Sequence, residues 1–289
     1  QIAPVFPDLY AEIANTLNNP LNNFCPVRPC PQAIDVQDPG TMVVNYRAEP
    51  IALRVYDPNK VGPDALPGKD CSPANSDRTG CGAQADGLPD YYRQNFHFQS
   101  DGWLSDQSAA LYDTQVEVLF TGAADVMRRR ALAPIATWLT ARNQRDVRSL
   151  DVACGTGRLL AAIHGAWPGM KLTGIDLSRP YLDEARRLIG RTARVKLDEA
   201  AAETLPFENT SLDLVVSSFL LHELPKEIRE KAIAEMARVV KPDGLVVIVD
   251  SLQKGDRPDW DGLLDLFPHY FHEPYYAEYA GGHLEEWFA

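Results

Sequence analysis

Between residues 148 and 250, apolar runs short enough to be strands alternate with amphipathic stretches long enough to be helices, and this alternation constrains the fold more than any other feature of the chain. The order is strand RSLDVA, helix RLLAAIHGAW, turn PG, strand KLTGID, helix PYLDEARRLI, strand ARVKLD, strand LDLVVSSF, helix KEIREKAIAEMARVV, turn KPDG and strand LVVIVD. Strands joined through helices return to the same end of a sheet, so they lie parallel, and the helices cover both faces. The expected class is therefore α/β, with a Rossmann-like, doubly wound, mostly parallel sheet. Such sheets take ligands beyond the carboxyl ends of their strands, which makes the residues just after each strand the ones to search.

The flanking regions read differently. From DQSAALYDTQVEVLF onward the periodicity predicts a half-buried helix capped by Ser105 or Asp106, and VMRRRALAPIATWL predicts a second, with the RRR run at 128–130 as its solvated face. Before residue 88, Pro, Asn, Asp and Gly crowd the chain and only TMVVNYRAEPIALRVY looks like paired strands around a turn. Cys25, Cys30, Cys71 and Cys81 fall in this region with spacings that fit no standard zinc pattern, so reduced thiols are expected. Residues 1–88 thus form an irregular N-terminal segment of unknown role, and 89–289 a single domain.

Composition excludes several classes of function. With 45% hydrophobic residues in 289, the chain can bury one sizeable core. A formal net charge of -12 disfavours nucleic acid as a partner, because that affinity rests on cations neutralising phosphates. No window approaches eighteen consecutive apolar residues, and QIAPVFPDLY lacks both a basic leader and a long apolar core, so neither a membrane span nor an intact signal peptide is visible in a sequence that begins at Gln1 rather than Met, and the location expected is cytoplasmic.

The most specific local feature is the loop in LDVACGTGRLL. A dinucleotide fingerprint requires a third small residue where this chain has Leu160, and a triphosphate-binding loop requires a Gly-Lys-Ser or Gly-Lys-Thr that is missing here. What remains is an acid at a strand end, Asp151, followed by small residues at Ala153, Gly155 and Gly157 that let the backbone turn sharply and approach a ligand. Asp176 ends the next strand. Its carboxylate is placed either to accept hydrogen bonds from a ribose or to cap the following helix, a role that Ser178 fills equally well.

Taken in order, LDVACGTG, LTGIDLS, AAETLPFENTSLDLVVSSFLLHEL and RVVKPDGLVVIVD resemble the class I S-adenosylmethionine-dependent methyltransferases of the type 11 group, over roughly residues 89–289. The resemblance implies S-adenosyl-L-methionine as cofactor. It implies that Ala153, Cys154, Gly155 and Gly157 pass close to the methionine part, that Asp151 lies towards the amine and that Asp176 meets the ribose hydroxyls. It further implies that the adenine leans on backbone groups near Ala202 and on apolar packing from Leu177, with Phe219 near the cofactor, since Ala201 stands where the family often has Asp or Asn. By the same likeness, 89–142 forms a helical lid, 148–250 the core sheet and 251–289 an aromatic lid segment.

The acceptor implied is a small, apolar or aromatic molecule, since Tyr91, Tyr92, Phe96, His97, Phe98, Trp103 and Tyr112 upstream and Phe267, Tyr270, Phe271, His272, Tyr275 and Tyr276 downstream are rich in rings. His222, after the fourth strand, is the candidate catalytic base; the alternative makes it a hydrogen-bonded loop residue shaping the pocket wall. Glu203 reads as a solvated loop acid and Asp213 as part of a strand entrance. His269 and His272 share a helix spacing but offer no third ligand, so no metal is expected. A noncatalytic binding protein on the same fold is the alternative function. Finally, the family's sheet has seven strands and this chain supplies five before GGHLEEWFA, so a truncated C-terminal edge is expected.

Overall fold

The computed structural model describes residues 87–93 and 102–288, together with the backbone of 35–38, 41–46 and 49–54. The chain divides into two compact units, residues 1–66 and 67–289. In the first, β1 (Asp35–Asp38), β2 (Thr41–Tyr46) and β3 (Glu49–Arg54) form an antiparallel sheet in that order, with Tyr46 opposite Glu49. The strand pair expected over this stretch is present. The four N-terminal cysteines, Phe96, His97 and Phe98 lie outside the described residues.

The second unit holds a five-stranded, wholly parallel sheet of β4 (Arg148–Val152), β5 (Lys171–Asp176), β6 (Val195–Glu199), β7 (Leu212–Ser218) and β8 (Val240–Val249). Its order is β6-β5-β4-β7-β8. The chain starts at the centre with β4, winds outward through β5 and β6, then returns to pair β7 on the other side of β4. That reversal is the switch point at which such sheets open a crevice. The connecting helices are α4 (Arg158–Ala166), α5 (Arg179–Ile189) and α6 (Lys226–Val239). Before the sheet come α1 (Asp106–Leu119), α2 (Ala124–Arg129) and α3 (Leu132–Leu139); after it come α7 (Asp261–Phe271), α8 (Tyr276–Ala280) and α9 (Leu284–Trp287).

The period of two along β7 divides the core. Val215 joins Leu150, Val152 and Ile175 in a layer under Ala232, Ile233 and Met236 of α6. Leu214 and Val216 point the other way, to Leu160 and Ile163 of α4 and to Ile135 and Leu139 of α3. Each such side chain contributes about 1.5–3 kcal/mol on burial, enough to hold strained turns at the strand ends.

Three local expectations need correction. The helix expected over 126–139 is two helices, because Pro134 lacks an N–H and its ring crowds the carbonyl four residues back, at Arg130, where the break falls. The RRR run is not simply a solvated face: Arg128 is buried, hydrogen-bonded to Asp125 Oδ1 at 3.2 Å and stacked over Phe219. KPDG is not a turn between helix and strand. It is an irregularity inside β8, which runs on from α6 at Val240 and places residues 241–244 opposite Asp213 alone. Among the described residues β8 pairs only with β7, so Pro242 sits on an edge strand, where its missing donor is tolerated. Asp213 does belong to the strand entrance, accepting from Arg148 N at 2.9 Å and Lys241 Nζ at 2.6 Å.

Candidate functional site

The two central strands, β4 and β7, each end in a residue with left-handed backbone, Ala153 (φ 57°) and Phe219 (φ 58°). For a residue with a Cβ this costs roughly 1–2 kcal/mol, so both turns are held by their surroundings. Cys154 N donates to Ile175 O at 2.8 Å and Phe219 N to Val249 O at 2.8 Å, tying each turn to the next strand. Between them opens a cleft walled by Ala153, Gly155, Asp176, Leu177, Ala200, Ala202, Ser218, Phe219, Leu220, Glu223 and Leu224, with Tyr91, Tyr92, Trp103, Tyr112 and Tyr181.

The loop after β4 divides its work. At Gly155 (φ 53°) a Cβ would meet only Tyr181 Cδ1, at 3.9 Å, so the missing side chain leaves the cleft open. At Gly157 (φ 78°) a Cβ would stand 2.9 Å from Ala185 Cβ and 3.3 Å from its Cα. Gly157 therefore serves the contact of α4 with α5, and it is not on the cleft wall. Nor is Cys154, a buried free thiol whose Sγ packs where a Cβ on Gly174 would be, 2.8 Å away. Burial pushes that thiol well above its ordinary range, reinforced by the charges of Asp151 and Asp176.

Two acids sit at this end of the sheet. Asp176 Oδ2 accepts from Gly155 N and Oδ1 from Ser178 N, each at 2.8 Å. Burial raises its carboxyl pKa against the lowering effect of these N–H groups. The cap of α5 is filled by Ser178, whose Oγ accepts from Tyr181 N, so Asp176 faces the cleft with its orientation already fixed. Asp151 lies behind the wall, 1% exposed, and neither of its oxygens has a hydrogen-bond partner. Burial, then the charge of Asp176, pushes it up to about 8, moderated by Arg128. A buried carboxyl left in this state is suited to a cationic partner.

The third wall is the loop after β6. Ala202 is buried at its base. Leu205 N donates to Glu235 Oε2 at 2.7 Å, and Arg238 of α6 donates to the carbonyls of Leu205 and Phe207, which fixes the loop. Glu203 is not a solvated loop acid: Tyr91 OH donates to its Oε1 at 2.8 Å, joining the loop to the upstream aromatic wall. In that wall Tyr92 packs on Trp103 and Tyr112 on Tyr181, both with centroids 5.2 Å apart. The downstream aromatics behave differently. Phe267 packs on Phe271 and Tyr276, while Tyr270 is 69% exposed, and none of the downstream rings is on the cleft wall.

His222 is also off the wall. It is buried in a 3₁₀ turn, its Nδ1 hydrogen-bonded to Asp250 Oδ1, and its ring lies edge-on to Tyr276 and Tyr279. Asp250 in turn accepts from Leu221 N at 2.7 Å and Ser251 N at 2.8 Å. His222 Nε2 stands 3.7 Å from Glu223 Oε1 and 3.9 Å from Glu273 Oε2. Burial opposes charge on the ring, but Asp250, with Glu223 and Glu273, outweighs it and pushes the imidazole up to about 10. Sequence reasoning passed over Asp250 and Glu273. The only available signal was that Asp250, like Asp151 and Asp176, is an acid at the carboxyl end of a strand.

Residues 150–244 match the family described as a methyltransferase domain. An uncharacterized protein of Haemophilus influenzae is 35% identical over 124 residues, which is 41% of this chain and 49% of that protein. A demethylmenaquinone methyltransferase of Staphylococcus aureus is 32% identical over 143 residues, 49% of this chain and 56% of its own length. The chain thus spans about half the length of the curated relatives it matches. The solved structure of the YcgJ protein from Bacillus subtilis aligns with a TM-score of 0.40 at 26% identity, over 48% of this chain and 58% of that one.

Proposed function

We propose, on the match of residues 150–244 to a methyltransferase domain, that the chain is a class I S-adenosylmethionine-dependent methyltransferase that moves a methyl group from S-adenosylmethionine to a small, apolar or aromatic metabolite. The observation that carries this reading is Asp176, a carboxylate on the cleft wall oriented by the N–H groups of Gly155 and Ser178. A diol such as a ribose is matched by a fixed pair of acceptor oxygens. Ala153, Gly155, Leu177, Ala202 and Phe219 complete the cofactor wall, and Asp151 behind it supplies the negative charge that a cofactor ammonium requires. The six rings of Tyr91, Tyr92, Trp103, Tyr112, Tyr181 and Phe219 support an acceptor with a flat or apolar body. The Staphylococcus aureus relative is named for a quinone-type substrate, which favours that class of acceptor for screening.

When bound, the cofactor supplies an electrophilic methyl group on a sulfonium. The chain's own task is then alignment and exclusion of water, since charge is lost rather than created in the displacement. We assign His222 to holding the loop after β7 rather than to taking a proton: it is off the wall, tied to Asp250, and already favours the protonated form. Among the described residues no helix is long and apolar enough to cross a membrane, and the free thiol of Cys154 accords with a cytoplasmic location. A second reading, binding without turnover, is favoured by Ala201, which offers no side-chain acceptor to an adenine amine.

Calorimetry with S-adenosylmethionine and its demethylated product tests the cofactor site. Asp176→Ala is expected to weaken binding at least about tenfold, since each charge-assisted hydrogen bond is worth roughly 1.5–3 kcal/mol; unchanged affinity would remove the assignment. Transfer of labelled methyl to a quinone-type compound or to a metabolite extract separates the enzyme from the binding protein.

A further inference from the structure

We infer that His222, Glu223 and Glu273 bind a divalent transition-metal cation, with Asp250 as the outer carboxylate that orients the histidine. The inference is independent of methyl transfer and runs against the expectation from sequence that no metal is bound. It begins with the tautomer. Asp250 Oδ1 accepts a hydrogen bond from Nδ1, so the neutral ring presents its Nε2 lone pair to Glu223 and Glu273. This is the carboxylate–histidine arrangement that fixes ring orientation in metal sites. The ring has little freedom to turn away, being packed edge-on against Tyr276 and Tyr279.

The distances favour a shared ion over direct bonding. At 3.7 and 3.9 Å, Glu223 Oε1 and Glu273 Oε2 are too far from Nε2 to accept hydrogen bonds from it. Ligand atoms bonded to one ion at about 2.0–2.2 Å lie roughly 3.0–3.8 Å from each other. The nitrogen and the two oxygens all fall within 4.8 Å of one another, so side-chain movements of about an ångström close the set. Burial points the same way: His222, Glu223 and Glu273 are each less than a tenth exposed and the Asp250 side chain is 1% exposed, so the set is shielded from bulk water.

One nitrogen and two carboxylate oxygens without sulfur form a set suited to zinc, iron or manganese rather than to the all-oxygen shells of calcium or magnesium. The residues come from distant parts of the chain. His222 and Glu223 follow β7, whereas Glu273 lies between α7 and α8. The ion would clip the segment after β8 to the carboxyl end of the sheet, so its binding should appear as stability as well as stoichiometry.

The test uses the tag-free full-length chain, stripped with a chelator and dialysed against zinc, manganese or magnesium ions. The expected result is about one equivalent of zinc retained, weaker retention of manganese and none of magnesium, with a chelator-reversible rise in Tm of about 5 °C. Asp250→Asn is expected to weaken zinc binding about 10- to 100-fold, and Glu273→Gln by more. His269→Ala with His272→Ala is expected to leave it unchanged, since both lie exposed outside the set. Less than a tenth of an equivalent in the wild-type chain, undiminished zinc in Glu273→Gln, or loss of zinc in the His269/His272 variant would each overturn the site. X-ray absorption on the wild-type protein adds a measurement that does not depend on variants folding: a shell of nitrogen and oxygen supports it, and sulfur in the shell refutes it.

Discussion

The carboxyl ends of β4 and β5 and those of β7 and β8 lie side by side, yet they are built from different materials. At the first, main chain does the shaping: Gly155 and Ser178 N–H groups aim Asp176, and the missing Cβ of Gly155 leaves the cleft open. At the second, buried side chains do it, with His222 tied to Asp250 and facing Glu223 and Glu273. A site shaped by backbone needs only the right conformation over a short stretch. A site shaped by buried charges needs residues 222, 223, 250 and 273 delivered together by the whole fold, and each acid unpaired there is expensive.

The sharpest way to break this contrast is within the first end, at its two glycines. Gly157→Val would drive a branched Cβ into Ala185 from a left-handed backbone, so we expect a loss of about 4 kcal/mol in denaturant unfolding. Gly155→Val pays the backbone strain without a comparable clash, about 1–2 kcal/mol, but its methyl groups occupy the cleft. Cofactor binding should fall at least about 100-fold while the sheet stays folded. If both variants lost stability equally, or if Gly155→Val bound normally, the loop would not divide its work as described.

The same contrast explains what was legible in the sequence. The strand and helix order, and Asp176 and Gly155 in the cleft, followed from local patterns because hydrophobic period and turn chemistry act within a few residues. Gly157 was read as part of the ligand wall, since a one-dimensional motif cannot say which face of a turn meets Ala185. KPDG looked like a turn because Pro, Asp and Gly usually make one, but pairing of β8 with β7 on both sides of it absorbed it as an irregularity. Glu203, Arg128 and the partners of His222 depended on contacts across 112, 91 and 28 positions respectively, where no local signal reaches.

Next in size is the effect of Asp151, which asks whether the first end also contains a buried charge site. Its carboxyl is pushed up to about 8, so between pH 4 and 8 the folded protein holds a proton that the unfolded chain has released. Stability should therefore fall as pH rises through that window and level off above it. Allowing for relaxation around the group, the fall attributable to Asp151 should be about 2–3 kcal/mol, and it should be missing from Asp151→Asn. Binding of a cofactor ammonium would favour the carboxylate, so at pH 7 binding should release up to about one proton. Calorimetry in two buffers of different ionisation enthalpy measures this, and equal heats in both would show that Asp151 does not meet the cofactor charge.

The smallest expected effect belongs to His222 and decides whether the second end takes part in chemistry. His222→Gln keeps a donor for Asp250 but cannot take up a proton near neutral pH. Because His222 is off the cleft wall and tied to Asp250, the methylation rate should fall less than about tenfold. Cofactor affinity should stay as it was. A general base in direct contact with the acceptor would contribute roughly 100-fold or more, so the two roles are separated by a margin that initial rates resolve. The pH profile gives a second reading of the same variant. A catalytic histidine would leave an acidic limb in the wild-type profile that disappears in His222→Gln, whereas a histidine that only secures the loop leaves the two profiles parallel. A large rate loss together with a lost limb would move the chemistry to the β7 and β8 end and reduce the β4 and β5 end to holding the cofactor.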